Sequence, residues 1–190
     1  MNYGKYFKLV TFNQQSLNTV RTAIAGADLD FIPATLYNNK ENEGAGTKRN
    51  SQVTWLKDQR LSDMLMKMVQ VINESAGWNF NITGVEPVQF GVYPKGGLYD
   101  WHVDQHPRPI RGVVRKISMT LFMSDPEEYK GGEFDLEIYK PGTNPRYETF
   151  KGKKGSAIFF PSGKWHRVRP VTSDDVRKSI VAWFYGPPYT

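Results

Sequence analysis

The sequence predicts a mainly β protein with flanking helices: a double-stranded β-helix (jelly roll) of about eight strands, with N-terminal helices packed on one sheet. Two patterns predict it. From Val85 onward, short apolar stretches are punctuated by turn signals at Pro94-Lys95-Gly96-Gly97, Asp125-Pro126, Gly131-Gly132, Pro141-Gly142, Gly152 and Pro161-Ser162-Gly163. Many short strands at such spacing indicate a sandwich or barrel. Before Val85, apolar residues recur instead at helical spacing.

Composition bounds the rest. The 190 residues, 39% hydrophobic and 14% aromatic, suffice for a single domain with a real core. We expect one domain over 1–190, with helical and strand support in 1–84 and the jelly-roll core in 85–190. No apolar run reaches membrane-spanning length, and the opening Met-Asn-Tyr-Gly-Lys-Tyr-Phe-Lys lacks the apolar centre of a signal peptide. There is no cysteine, which excludes disulfides, thiolate ligands and thiol nucleophiles. A cytoplasmic setting, in a bacterial or phage-infected cell, is the expectation. The net charge is +6 and the pI about 9.4. Basic clusters at Arg108, Arg111, Arg115 and Lys116, and at Lys151, Lys153 and Lys154, read as a solvated surface or as attraction for an acidic partner. No zinc-finger or RNP spacing supports nucleic acid.

In chain order, Tyr6 to Phe12 alternates as a first strand. Ser16 is placed to cap a short helix through Ala25 that ends at Gly26. The polar, Gly-rich stretch 38–50 reads as a surface connection or a substrate lid. Ser51 to Leu56 reads as a strand. Leu61, Met64, Leu65, Met68, Val69 and Ile72 form an apolar stripe of a helix over 58–75, with Asp58 as its cap. Strands are then expected near 86–93, 98–104, 115–123, 132–139, 146–151, 155–160, 165–170 and 177–185.

The chemistry centres on Tyr99-Asp-Trp-His-Val-Asp-Gln-His106. Residues two apart in a strand share a face, so His102 and Asp104 would reach one space. Alone, such a pair is as readily a satisfied surface pair. Only three histidines exist, His102, His106 and His166. His106, beside Pro107, is off the pattern and reads as a loop residue. Two His and one Asp on one face of a metal is the facial triad of non-haem Fe(II) oxygenases, with positions left open for co-substrates. Farther on, Arg177 and Ser179 share a strand face. A buried guanidinium needs an anionic partner, and Arg grips a carboxylate with two parallel hydrogen bonds. A small dicarboxylate chelating the metal at one end would satisfy both sites.

Taken together these pieces resemble the Fe(II)/2-oxoglutarate-dependent dioxygenases, in their prolyl 4-hydroxylase-like (PKHD-type) branch. The likeness runs over about 85–186: His102-x-Asp104, distal His166, Asp125-Pro-Glu-Glu-Tyr-Lys-Gly-Gly-Glu133, His166-Arg-Val-Arg-Pro-Val-Thr172 and Arg177-x-Ser179. Upstream, Arg49-Asn-Ser-Gln-Val-Thr-Trp55 is similar to bacterial and phage members. The resemblance implies Fe(II) on His102, Asp104 and His166, 2-oxoglutarate held by Arg177 with help from Ser179, Tyr93 and Thr120, and O2 as co-substrate with ascorbate as reductant. Arg177 falls eleven residues past His166, slightly beyond the family's usual spacing, which leaves Lys178 as a rival. Arg-x-Ser and the six-residue gap to Trp183 favour Arg177. Asp104 favours hydroxylation, since halogenases of the family lack this carboxylate. The implied substrate is a peptidyl proline, in a protein lying under the 38–50 loop. The alternatives are a free amino acid, nucleic acid, or no catalysis in a jelly-roll metal binder. A monomer or weak dimer without membrane attachment is expected. Gly131-Gly132 reads as a turn, Trp165 and Trp183 as core rather than as rings that stack on substrate, and Tyr99 and Trp101 as packing outside the barrel or at its mouth.

Overall fold

A computed structural model describes residues 5–34, 48–138 and 146–189. The chain opens with β1 (Lys8–Thr11) and α1 (Gln14–Ala25). The α1 cap is Asn13, not Ser16: its side chain accepts the Ser16 amide at 2.8 Å. Two short strands unmarked by any apolar pattern follow, β2 (Ile32–Pro33) and β3 (Arg49–Asn50), and then β4 (Gln52–Leu56). Most of the expected 38–50 loop lies outside the described residues. The helix α2 (Gln59–Ser75) begins as expected, with Asp58 Oδ1 accepting from the Leu61 amide at 2.8 Å.

The β-rich half runs β5 (Gly84–Val85), β6 (Val88–Tyr93), β7 (Leu98–His102), β8 (Val114–Phe122), β9 (Phe134–Glu137), β10 (Tyr147–Phe150), β11 (Ser156–Pro161), β12 (His166–Val168) and β13 (Arg177–Gly186). Among the described residues these make two antiparallel sheets that do not close. One runs β1-β11-β8-β13-β6-β4-β2, with β5 on β13; the other runs β10-β9-β12-β7-β3. This is the expected jelly-roll architecture, with helices on one face.

Strand parity divides the core in two. On β13, Ile180, Ala182 and Phe184 face the helices and join Leu61, Leu65, Val69 and Ile72 of α2 in one apolar cluster. Burying such a side chain contributes about 1.5–3 kcal/mol each, which is what seats α2 on the larger sheet. The alternate residues face the smaller sheet, where Tyr93, Phe122, Phe134, Leu136 and Phe160 form a second cluster. Arg177 and Ser179 lie on this inner side. No helix among the described residues is long and apolar enough to cross a membrane.

Candidate metal centre

Strand β7 ends at His102, so Asp104 does not share a continuous strand with it as its spacing suggested. The chain bends instead, and the amides of Asp104 and Gln105 both donate to the Ser162 carbonyl at 3.0 Å. His166 opens β12 directly opposite His102. The result brings the three side chains together. His166 Nε2 lies 3.3 Å from Asp104 Oδ2, His102 Nε2 lies 3.6 Å from Asp104 Oδ1, and the ligand-capable atoms all fall within 4.8 Å of one another.

Both rings are oriented from behind. His102 Nδ1 donates to the Asp100 carbonyl at 2.7 Å and His166 Nδ1 to the Lys164 carbonyl at 2.9 Å. Holding Nδ1 on a backbone carbonyl turns Nε2 of each ring toward the carboxylate, the usual orientation of a metal-binding imidazole. Electrostatics agree with this reading. Burial, with His166 beside it, drives the His102 pKa down to about 3, so the ring is neutral at physiological pH. Burial alone would raise Asp104, but His166, by charge and hydrogen bond, together with His102 holds its carboxyl far below the usual range. Two imidazole Nε2 atoms and an ionised carboxylate that converge on one space make a donor set that fits a divalent ion such as Fe(II).

Arg177 is 1% exposed. Its Nη1 donates to Ser179 Oγ at 3.2 Å, but Nε and Nη2 have no partner. The guanidinium carbon lies 5.0 Å from the centre of the Tyr93 ring and 5.7 Å from that of Phe122. A buried cation with two idle donors is costly unless an anion meets it, and a carboxylate fits that edge. Lys178 is exposed on the opposite face. Thr120 is buried on β8.

Of the expectations for the aromatic residues, one fails. Tyr99 takes the second of its two expected places, lining the cleft at the mouth, where it stacks on His102 with ring centres 3.4 Å apart. The cause is a β-bulge. His102 pairs with His166 and Tyr99 with Val168, so three steps on β7 oppose two on β12 and parity inverts. Trp165 is not core but 49% exposed. Trp183 is buried as expected, and it borders a cleft of about 980 Å³ that opens beside Asp104. Arg49, Gln89, Trp55 and Arg115 also line this cleft, and apart from Arg49 and Trp55 in the upstream segment nothing in the sequence singled them out for it. Arg49 hydrogen-bonds Gln89 at 3.2 Å and lies 4.3 Å from the centre of the Tyr99 ring. Arg115 forks onto Glu86 at 2.6 and 2.7 Å and covers the Trp183 ring.

These features define a class, and the comparisons with known proteins agree. The chain belongs to the 2OG-Fe(II) oxygenase superfamily, whose family model matches residues 88–185. Among curated relatives, a PKHD-type hydroxylase of Teredinibacter turnerae is 38% identical over 91 residues, covering 46% of this chain and 38% of that protein. The PKHD-type hydroxylase PiuC of Pseudomonas aeruginosa is 35% identical over 92 residues, with the same coverage. The matched stretch thus spans well under half the length of these relatives. Among solved structures, a Pseudomonas putida prolyl-4-hydroxylase superposes with a TM-score of 0.69 at 18% identity, over 96% of this chain and 94% of that one. The viral collagen prolyl hydroxylase of Paramecium bursaria Chlorella virus-1, in complex with 2OG, gives 0.66 at 22% identity, over 96% and 97%. A Trichoplax adhaerens prolyl hydroxylase bound to a hypoxia inducible factor peptide gives 0.63 at 18% identity, over 95% and 84%.

Proposed function

We propose that this chain is a 2-oxoglutarate-dependent Fe(II) dioxygenase that hydroxylates a C–H bond of a peptidyl proline. The observation that carries it is the buried Arg177, sealed inside the sheets with two idle donors on the inner side of the fold. His102, Asp104 and His166 would hold the iron, Arg177 the far carboxylate of 2-oxoglutarate, with Ser179, Tyr93 and Thr120 lining that pocket. Bound iron and 2-oxoglutarate together supply oxygen activation, with succinate and carbon dioxide as by-products and ascorbate keeping the metal reduced.

The chain's own residues do the rest. The Asp100 and Lys164 carbonyls hold the two imidazoles by Nδ1, so both rings turn Nε2 toward the metal position. Ser179 steadies one arm of Arg177 and leaves its other edge for the co-substrate. The cleft supports a prolyl substrate, because Trp55, packed at its inner edge on Trp183 and partly exposed, offers an apolar ring on the cleft wall. The reading treats 1–190 as one catalytic unit. It is tested by incubating purified protein with Fe(II), 2-oxoglutarate, ascorbate and a panel of proline-containing peptides. Succinate and a peptide gaining one oxygen atom are expected, both abolished by His102→Ala or His166→Ala. A nucleic acid or free amino acid that is oxidised while every peptide is spared would overturn the substrate. Full activity in either histidine variant would overturn the metal site.

A further inference from the structure

A second buried donor stands beside Arg177. Tyr129 is 3% exposed, and its hydroxyl has no hydrogen-bond partner. A buried hydroxyl without an acceptor destabilises a fold, and phenylalanine would fill the same space without that cost. The two side chains meet at Gly132. A Cβ there would come within 2.9 Å of Arg177 Cδ and 3.0 Å of Tyr129 Cε2, so only the bare glycine, at φ +66°, leaves room for both. The Tyr129 hydroxyl and the Arg177 Nε and Nη2 groups are therefore sealed in one region, with the phenol oxygen close to the guanidinium and the phenol hydrogen left without an acceptor.

We propose that Tyr129 is a second anchor for the distal carboxylate of 2-oxoglutarate, donating its hydroxyl hydrogen to the same group that Arg177 grips. The inference rests on the function proposed above. Nε and Nη2 lie on one edge of the guanidinium and match one side of a carboxylate. A carboxylate has about four acceptor positions, so the fork leaves capacity for a hydroxyl. Burial raises the Tyr129 pKa, opposed by the charge and close approach of the Arg177 guanidinium, so the phenol keeps its proton and has it to donate.

The loop carrying Tyr129 is held in place. Lys151 Nζ donates to the Tyr129 carbonyl at 2.9 Å and lies 4.6 Å from the centre of its ring. The next residue, Lys130, donates its amide to Ser173 Oγ at 3.0 Å. Gly131 pairs with Val171, and a Cβ on it would strike the Pro170 carbonyl. The tyrosine is thus pinned to the segment that leads into β13, and with it to Arg177.

The test is titration calorimetry of Mn(II)-loaded protein with 2-oxoglutarate and with 2-oxovalerate, which lacks the distal carboxylate. Tyr129→Phe should weaken 2-oxoglutarate about tenfold or more, the loss typical of one hydrogen bond to a charged group. It should leave 2-oxovalerate affinity and Mn(II) affinity unchanged, and the metal-free variant should melt no lower than wild type. Unchanged 2-oxoglutarate affinity, or equal loss for both acids, would overturn the role of Tyr129 while leaving the function standing. A wild-type protein that binds no 2-oxoglutarate would sink both.

Discussion

Arg177→Met should make the metal-free protein more stable and the co-substrate site useless. The reasoning starts from Nε and Nη2, which are buried and without partners. Leaving such groups unpaired costs about 1–3 kcal/mol apiece, and replacing buried charge by an apolar side chain of similar volume gains about 1–4 kcal/mol in known cases. Methionine follows the same path between Tyr93 and Phe122 and gives up the bond to Ser179 and the approach to the Tyr129 hydroxyl. We expect a gain of about 2 kcal/mol, which for a chain of this length is a rise in Tm of roughly 4–8 °C. Added 2-oxoglutarate reverses the ranking. It stabilises wild type by mass action, about 2.7 kcal/mol at a hundredfold excess over Kd, and does nothing for the variant. The assay is thermal denaturation of Mn(II)-loaded and metal-free protein across a 2-oxoglutarate titration, with Lys178→Ala as the exposed control. A metal-free Arg177→Met that melts lower than wild type, or that still responds to 2-oxoglutarate, would refute the idea that this cation waits for a carboxylate. A lost response in Lys178→Ala would move the anchor to the neighbouring residue.

Other outcomes follow from the same geometry. The folded protein holds the His102 pKa near 3, below the ordinary 6.5, so it binds fewer protons than the unfolded chain. The neutral ring's contribution is complete above pH 6.5 and is lost as pH falls toward about 3. Metal-free wild type should lose stability across that window in urea titrations, with a shallower decline in His102→Gln; parallel curves would refute the cause. Asp135, fully buried, accepts from Arg167 at 2.7 Å, Arg169 at 2.8 Å and Thr149 at 2.7 Å, tying β12 to its neighbours. Asp135→Ala should cost about 3 kcal/mol and weaken metal binding through His166, both readable by denaturation and Mn(II) titration. No loss of stability would show that the arginines find water instead.

Much of this protein can be read along the chain, because periodicity is a local property. The stripe from Leu61 to Ile72 announced α2, and Asp58 announced its start, since both depend on residues within a turn or two of each other. The eight principal strands after Val85 fell close to their expected places because Gly and Pro mark the turns between them. The short strands β2, β3 and β5 did not, since two residues are too few to show a period and their pairing is decided by whichever neighbour they meet. Asn13 displaced Ser16 as cap for a similar reason: both are good caps, and the choice rests on where the preceding strand releases the chain.

The sequence by itself determined the donor types, three histidines and an H-x-D without a competing thiol, and the Arg-x-Ser pair that called for an anion. Tertiary structure alone decided who meets whom. Tyr99 lies against His102 only because a bulge on β7 adds a step that strand parity cannot foresee. Tyr129 reaches Arg177 only because Gly131 and Gly132 fold a loop back onto the strand entry. Such meetings join residues far apart in the chain, and their distances are set by the packing of two sheets rather than by any short-range preference.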